Sequence, residues 1–204
     1  MSLEFIEDGH RYFFGEEEIP SVSEIIRFVA KEVYGEADKF AMDQAADRGT
    51  RVHRAAEEID RTGRCECDSD IAGYVNAYAK FLSEHQVEWT DIEKPVYNEA
   101  SWYAGTLDRA GYIDGKPVIL DIKTTKKITG KNKLLYAAQL TAYRAAYDGH
   151  DDSDLLILQL KDNGTYKLIK LEEKSTLFIS CLLLHKEFEK TKRRKRTNGR
   201  KSNG

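Results

Sequence analysis

The chain has 204 residues, 41% of them hydrophobic and 33% charged, with a net charge of −3. That suffices for one domain with a sizeable core, and it excludes a helical membrane span: no apolar run approaches the roughly 18 residues required, and the N-terminus lacks a secretory signal pattern. Three cysteines, Cys65, Cys67 and Cys181, fit neither a disulfide framework nor a four-ligand metal site, so a cytoplasmic protein with reduced thiols and no membrane partner is expected.

The charge is uneven. Residues 190–204 carry eight Lys or Arg and no acid, whereas residues 1–189 hold 24 basic against 35 acidic residues. A single domain over 1–189 followed by a basic, disordered tail at 190–204 is therefore expected, and the asymmetry suits a polyanionic partner.

In chain order, Leu3–Ile6 and Arg11–Phe14 flank Glu7-Asp8-Gly9-His10 as a short hairpin. Ser21-Val22-Ser23-Glu24 has the form of a capping box opening a helix to about Val33. Residues 37–59 form a helix with a small-residue face, interrupted by Gly49. On it His53 and Glu57 are i,i+4 neighbours beside the stripe of Val52, Ala56 and Ile59. A third helix covers 71–85, and Val87–Asn98 is an extended segment that Pro95 demotes, at least in part, to an edge or irregular strand.

Residues 103–125, YAGTLDRAGYIDGKPVILDIKTT, read as two strands joined at Asp114-Gly115, the dipeptide favoured for a two-residue type I′ hairpin. That register sets Asp108 directly opposite Asp121, with Cβ atoms roughly 4.5 to 5.5 Å apart. Lys123 shares a face with Asp121. Two facing carboxylates repel, so a cation between them is expected, and a hard divalent ion is the most economical one. Pro117 beside the turn cannot donate to the ladder, and a bulge there would turn Asp108 away from Asp121.

A polar loop at 126–133 leads into a helix at 134–147, on which Gln139 and Tyr143 are an i,i+4 pair near its buried stripe. Two further strands, 155–160 and Tyr166–Leu171, and a last helix from Ser175 complete the chain. The order predicts an α/β fold: a central mixed β-sheet flanked by helices.

An acid on one strand, Asp-x-Lys on its hairpin partner, Gln-x-x-x-Tyr on the next helix and a His on an earlier one form a pattern that resembles the PD-(D/E)XK nuclease superfamily, in particular its RecB-like and bacteriophage-type exonucleases. The matching residues are His53 in RGTRVHRAAEE, Asp108 in YAGTLDRAG, Asp121 and Lys123 in VILDIKTT, and Gln139 and Tyr143 in AAQLTAYRAAY. The first acid closes a Gly-x-x-Asp, Gly105 to Asp108, and HRYFFGEEEIPSVSEII looks like the opening of phage-derived members.

The resemblance implies a restriction-endonuclease-like core and metal-dependent DNA hydrolysis at the ends of linear, double-stranded DNA, in phage recombination or repair. Asp108, Asp121, His53 and the backbone carbonyl of Ile122 would hold one or two Mg²⁺ or Mn²⁺ ions, with the imidazole shifting preference towards Mn²⁺. Lys123 would orient the attacking water or stabilise developing charge, and Gln139 and Tyr143 would position Lys123 or the phosphate. Glu57 is a candidate partner for His53, and Glu93, in competition with Glu99, a candidate additional ligand. Thr124, Thr125, Lys126 and Lys127 are candidates for DNA phosphate contact. Related nucleases with a four-cysteine iron-sulfur cluster carry C-terminal cysteines; only Cys181 stands there, so no cluster is expected. A recombination or annealing protein and a homo-oligomeric ring are the partners that the resemblance adds. Two other functions fit the same fold: a non-catalytic nucleic-acid-binding protein, and a structure-specific endonuclease.

Overall fold

The computed structural model describes residues 2–6, 9–35, 39–147 and 152–201. Glu7 and Asp8 of the expected first turn, Ala37 at the expected helix start and the last three residues of the expected tail lie outside them. The chain opens with β1 (Leu3–Ile6), β2 (Arg11–Phe14) and β3 (Glu17–Ile19), an antiparallel sheet of three strands. The expectation of a single sheet is corrected here: the Gly15-Glu16 turn adds β3, whose Glu-Glu-Ile carries too little apolar signal to read as a strand.

Ser21 caps α1 (Val22–Ile25) as expected, its Oγ accepting from the Glu24 N–H at 3.1 Å while its own N–H donates to Glu24 Oε2 at 2.8 Å. The helix then breaks at Ile26 and restarts as α2 (Arg27–Tyr34). Next come α3 (Lys39–Thr62), which passes Gly49 without interruption, and α4 (Ala72–Glu84). The main sheet comprises β4 (Val87–Asn98), β5 (Tyr103–Ile113), β6 (Lys116–Lys123), β7 (Asp154–Leu160) and β8 (Tyr166–Leu171), in that spatial order. Only β6 and β7 pair in parallel, because α5 (Gly130–Ala146) carries the chain across between them. The sheet is therefore mixed, with helices on both faces.

Why the layers close is visible along β7. Leu155 and Ile157 enter a core with α1, α5 and α6 (Ser175–Lys201), while Leu156, Leu158 and Leu160 enter a second core with α3 and α4. Both faces of a strand are consumed, as in a sheet covered on two sides. Pro95 lies on β4, an edge strand, where the missing N–H costs nothing in the interior.

Two expected boundaries differ. The stretch 126–133, read as a loop, already contains the start of α5: Thr129 and Asn132 cap it reciprocally, Asn standing where the usual box has Glu or Gln. Residues 190–201, read as disordered, continue the backbone of α6; Lys and Arg are good helix formers and no glycine intervenes before Gly199.

Candidate metal centre and groove

The hairpin at Asp114-Gly115 has both turn residues at positive φ, 51° and 76°, as a type I′ turn requires. Its register runs Ile113↔Lys116, Tyr112↔Pro117 and on to Arg109↔Leu120, so Pro117 shifts nothing. The ladder stops there, one pair short of Asp108 and Asp121. On the other side, β4 pairs with β5 at Ile92↔Arg109 and Lys94↔Leu107, skipping Glu93 and Asp108. Glu93, Asp108 and Asp121 thus form one row across three strands, at the place where both ladders lapse. Three carboxylates in a row repel, and backbone pairing gives way around them.

Each acid is held differently. Asp108 does not simply face Asp121: its Oδ2 accepts the Ile122 N–H at 2.7 Å, filling the fork between β5 and β6. Glu93 sits at φ 47°, a left-handed conformation that costs a non-glycine residue roughly 1 to 3 kcal/mol. Asp121, 2% exposed, receives Lys123 Nζ at 2.8 Å on Oδ1 and 2.7 Å on Oδ2. Only the Oδ1 contact has hydrogen-bond geometry, so Oδ2 remains a buried oxygen without a hydrogen bond.

His53, from α3, completes the cluster. Its Nδ1 lies 3.5 Å from both Glu93 Oε1 and Asp108 Oδ2, and its Nε2 lies 3.0 Å from the Ile122 carbonyl oxygen. One ligand atom each from His53, Glu93 and Asp108 can be chosen within 4.8 Å of one another, the one such group among the described residues. Burial presses the imidazole towards neutrality, but Asp108 and Glu93 outweigh it and raise its pKa to about 9. For Asp121, burial raises the pKa to about 6, with Lys123 opposing and Asp108 adding to the rise. Burial likewise pulls the Lys123 ammonium down, yet Asp121 and Asp108 hold it above its ordinary value.

The far wall is α5. Gln139 Nε2 donates to Tyr143 Oη at 3.0 Å, and Lys123 Nζ lies 5.1 Å from the centre of the Tyr136 ring. Tyr143 lies this close to β5 because Gly105 has no side chain: a Cβ there would stand 2.5 Å from Tyr143 Cε1. This gives the glycine of Gly-x-x-Asp a physical reason. Gly105→Ala is expected to push the Tyr143 ring off β5 and break its bond to Gln139, at about 1 to 3 kcal/mol in urea denaturation. A cost under about 0.5 kcal/mol would show that the ring moves freely.

His53, Glu57, Glu93, Asp108, Asp121, Lys123, Gln139 and Tyr143 all line one groove of about 420 Å³, together with Phe5, His10, Ser23, Gly49, Thr50, Arg54 and Thr106. A hollow of equal volume on another part of α3, beside Cys65 and Cys67, contains no such ligand group, and Arg51 there bridges Asp68 and Asp70.

Several candidates are placed elsewhere. Glu57 lies in the groove but its Oε1 pairs with Arg61, at 2.8 and 2.9 Å, so it does not orient His53. Thr124 is buried, and the backbone carbonyls of Thr125 and Lys126 are pinned by Gln159 Nε2 at 2.7 and 3.2 Å; none of Thr124, Thr125, Lys126 and Lys127 lines the groove. Glu93, not Glu99, joins His53 and Asp108 in the cluster.

Sequence reasoning missed Arg109. Wholly buried, it donates from Nε to Asp60 Oδ2 at 2.7 Å and from Nη1 to Glu93 Oε1 at 3.1 Å and the Asp108 carbonyl at 2.7 Å. Asp60 also accepts from Tyr78 and Trp89. Burial raises the Asp60 pKa while its acid neighbours keep Arg109 charged; with three donors converging on it, Asp60 is taken as ionised. The chain Asp60, Arg109, Glu93 ties the clustered acids to α3 and, through Tyr78, to α4. A charge in mid-strand, on the same strand as the core residues Leu107 and Ala110, was the available signal.

No family model matches the chain, and no curated protein does. Among solved structures, the crystal structure of SSO0001 aligns over 80% of this chain and 82% of that one, at 10% identity and a TM-score of 0.32. So slight a likeness transfers nothing to this chain.

Proposed function

We propose that the protein is a divalent-metal-dependent nuclease with a PD-(D/E)XK core, acting from the ends of linear DNA. The observation that carries this reading is the convergence of His53, Glu93 and Asp108 on one point, beside the buried Asp121–Lys123 pair, in a single open groove. The donor set fits the ion. One imidazole, the Ile122 carbonyl and the carboxylates of Glu93, Asp108 and Asp121, the last with a buried oxygen that accepts no hydrogen bond, suit Mg²⁺ or, with the nitrogen ligand, Mn²⁺.

When bound, the ion would neutralise phosphate charge and lower the pKa of a water molecule. The remaining work falls to the chain. Lys123, kept charged by two carboxylates, supplies a fixed cation for the negative charge that develops on the phosphate. Gln139 and Tyr143 present an amide and a hydroxyl from the opposite wall and fix the strand's position. His53 must release its proton to serve as a ligand, and Ile122 holds the imidazole in place until then. The cationic end of α6 gives an otherwise acidic chain a segment for the phosphate backbone.

Digestion of end-labelled linear duplex and covalently closed circular DNA tests this. Hydrolysis of the linear form alone, in Mg²⁺ or Mn²⁺, is expected. Equal attack on closed circles would make the protein an endonuclease, and binding of DNA without hydrolysis in either ion would leave only a binding protein.

Metal-free stability provides a second check. The pKa values of His53 and Asp121, about 9 and about 6, lie above their ordinary values of 6.5 and 3.8. Each group therefore stabilises the fold below its ordinary pKa and loses that contribution as pH rises through the folded one. The metal-free protein should lose stability from pH 4 towards 9, and the increase in Tm on adding Mn²⁺ should grow over the same interval, because the ion binds the deprotonated groups. A Tm increase that is the same at pH 6 and pH 9 would show that these groups do not meet the ion.

A further inference from the structure

Resting on the nuclease reading, we propose that the N-terminal sheet supplies the nucleobase side of the groove: Phe5 and His10, two rings set edge to face, take the base of an unpaired nucleic-acid end, one against its π-face and the other against its edge, with the phosphate among His53, Asp108 and Lys123. Phe5 and His10 line the same groove as these residues, although they come from a separate three-stranded sheet. The Phe5 ring lies 5.0 Å from His10, edge to face at 80°, and stacks at 28° on Tyr12, 5.0 Å away. Tyr12 is 1% exposed, and its hydroxyl is bonded at 2.8 Å to Thr106 Oγ1, on β5 two residues before Asp108. The aromatic group is therefore anchored directly to the strand that carries the metal-side acid.

Phe5 packs against the small core of Tyr12, Ile19 and Ala104, but that packing does not use the side that opens into the groove. Phe5 is half-buried and His10 exposed, both opening into a groove whose remaining lining is mostly charged or polar. His10 takes φ 53° in the turn before β2, and its ring lies beside Phe5. A nucleotide has the complementary halves: a phosphate for the cations and metal ligands, and an apolar base with a π-face for the rings. Stacking demands a base free of its own neighbours, so the fitting ligand is a single-stranded or frayed terminus. Base identity matters little to such a contact, since every base has a π-face.

The test is a cycle between protein and ligand. Binding of the full-length protein in Ca²⁺ is measured by fluorescence anisotropy for two short single strands, identical except that one has an abasic residue at its end, each prepared for the 5′ and the 3′ terminus. The wild type should prefer the base-bearing end by roughly 5- to 100-fold at one terminus. Phe5→Ala and His10→Ala should each reduce that preference, and together bring it close to 1, while affinity for the abasic strand stays unchanged. Phe5→Leu keeps apolar volume for the sheet but removes the π-face, and should lose most of Phe5's share. Equal weakening of both strands, or a preference that survives the double variant, would overturn the stacking role. A wild type that binds both strands equally, or neither, would overturn it; the nuclease reading falls only if linear duplex also goes uncleaved in Mg²⁺ and Mn²⁺.

Discussion

Lys123→Ala should lose metal-dependent DNA hydrolysis by about 10² to 10⁴-fold, the range seen when a fixed charge or proton donor is removed from a transition state. The expectation follows from where the charge is kept. Lys123 is not a surface lysine: its side chain is 23% exposed, it sits against a buried Asp121, and a tyrosine ring lies beneath it. Its removal also abandons Asp121, 2% exposed, whose pKa already stands at about 6. Without the ammonium, that carboxyl takes up a proton near neutral pH, which spares the fold and weakens the metal site at the same time. The loss should therefore be largest below pH 7 and appear with a near-native Tm. Asp121→Asn should share the activity loss, and the double variant should cost less than the sum of the two singles because both act in one unit. Full activity in Lys123→Ala would remove Lys123 from the chemistry.

The second large effect concerns Arg109→Leu, expected to cost about 3 to 5 kcal/mol because it strips a buried partner from Asp60 and Glu93. For a chain of this length that corresponds to a fall of roughly 6 to 20 °C in Tm. Adding Asp60→Leu should restore part of the loss, since a carboxylate without a cation is worse than none. Arg109→Lys keeps the charge without the fork that reaches Asp60, Glu93 and the Asp108 carbonyl together, so the fold should largely survive. Metal affinity in that variant should still fall about 10- to 100-fold as Glu93 loosens. A change below about 1 kcal/mol for Arg109→Leu would mean that water reaches the pair.

What the sequence made legible was local. Asp114-Gly115 sets the hairpin and its register, Pro95 marks the edge strand, and Ser21 with Glu24 caps a helix, because each depends on backbone chemistry within four residues. The site was legible as far as strand pairing carries it, to Asp108, Asp121 and Lys123. Beyond that it depends on distant encounters. Glu93 could not be chosen over Glu99 without knowing that β4 skips a pair and turns Glu93 to φ 47°. Glu57 looked like the natural partner of His53 one turn away, but Arg61, one turn further on, takes it. Arg109 was not singled out, because its role depends on α3 and α4 bringing Asp60 and Tyr78 over it. The start of α5 was missed for a smaller reason, an Asn in a capping position that usually holds Glu or Gln.

At the centre of the proposal stands a divalent ion held among His53, Asp108 and their acid neighbours. Anomalous diffraction from crystals soaked in Mn²⁺ measures this directly. The expected result is a peak in contact with His53 and Asp108, with Glu93 or Asp121 beside it and the His53 bond to the Ile122 carbonyl given up. A groove without a peak, in crystals of protein that hydrolyses DNA when Mn²⁺ is added, would contradict it.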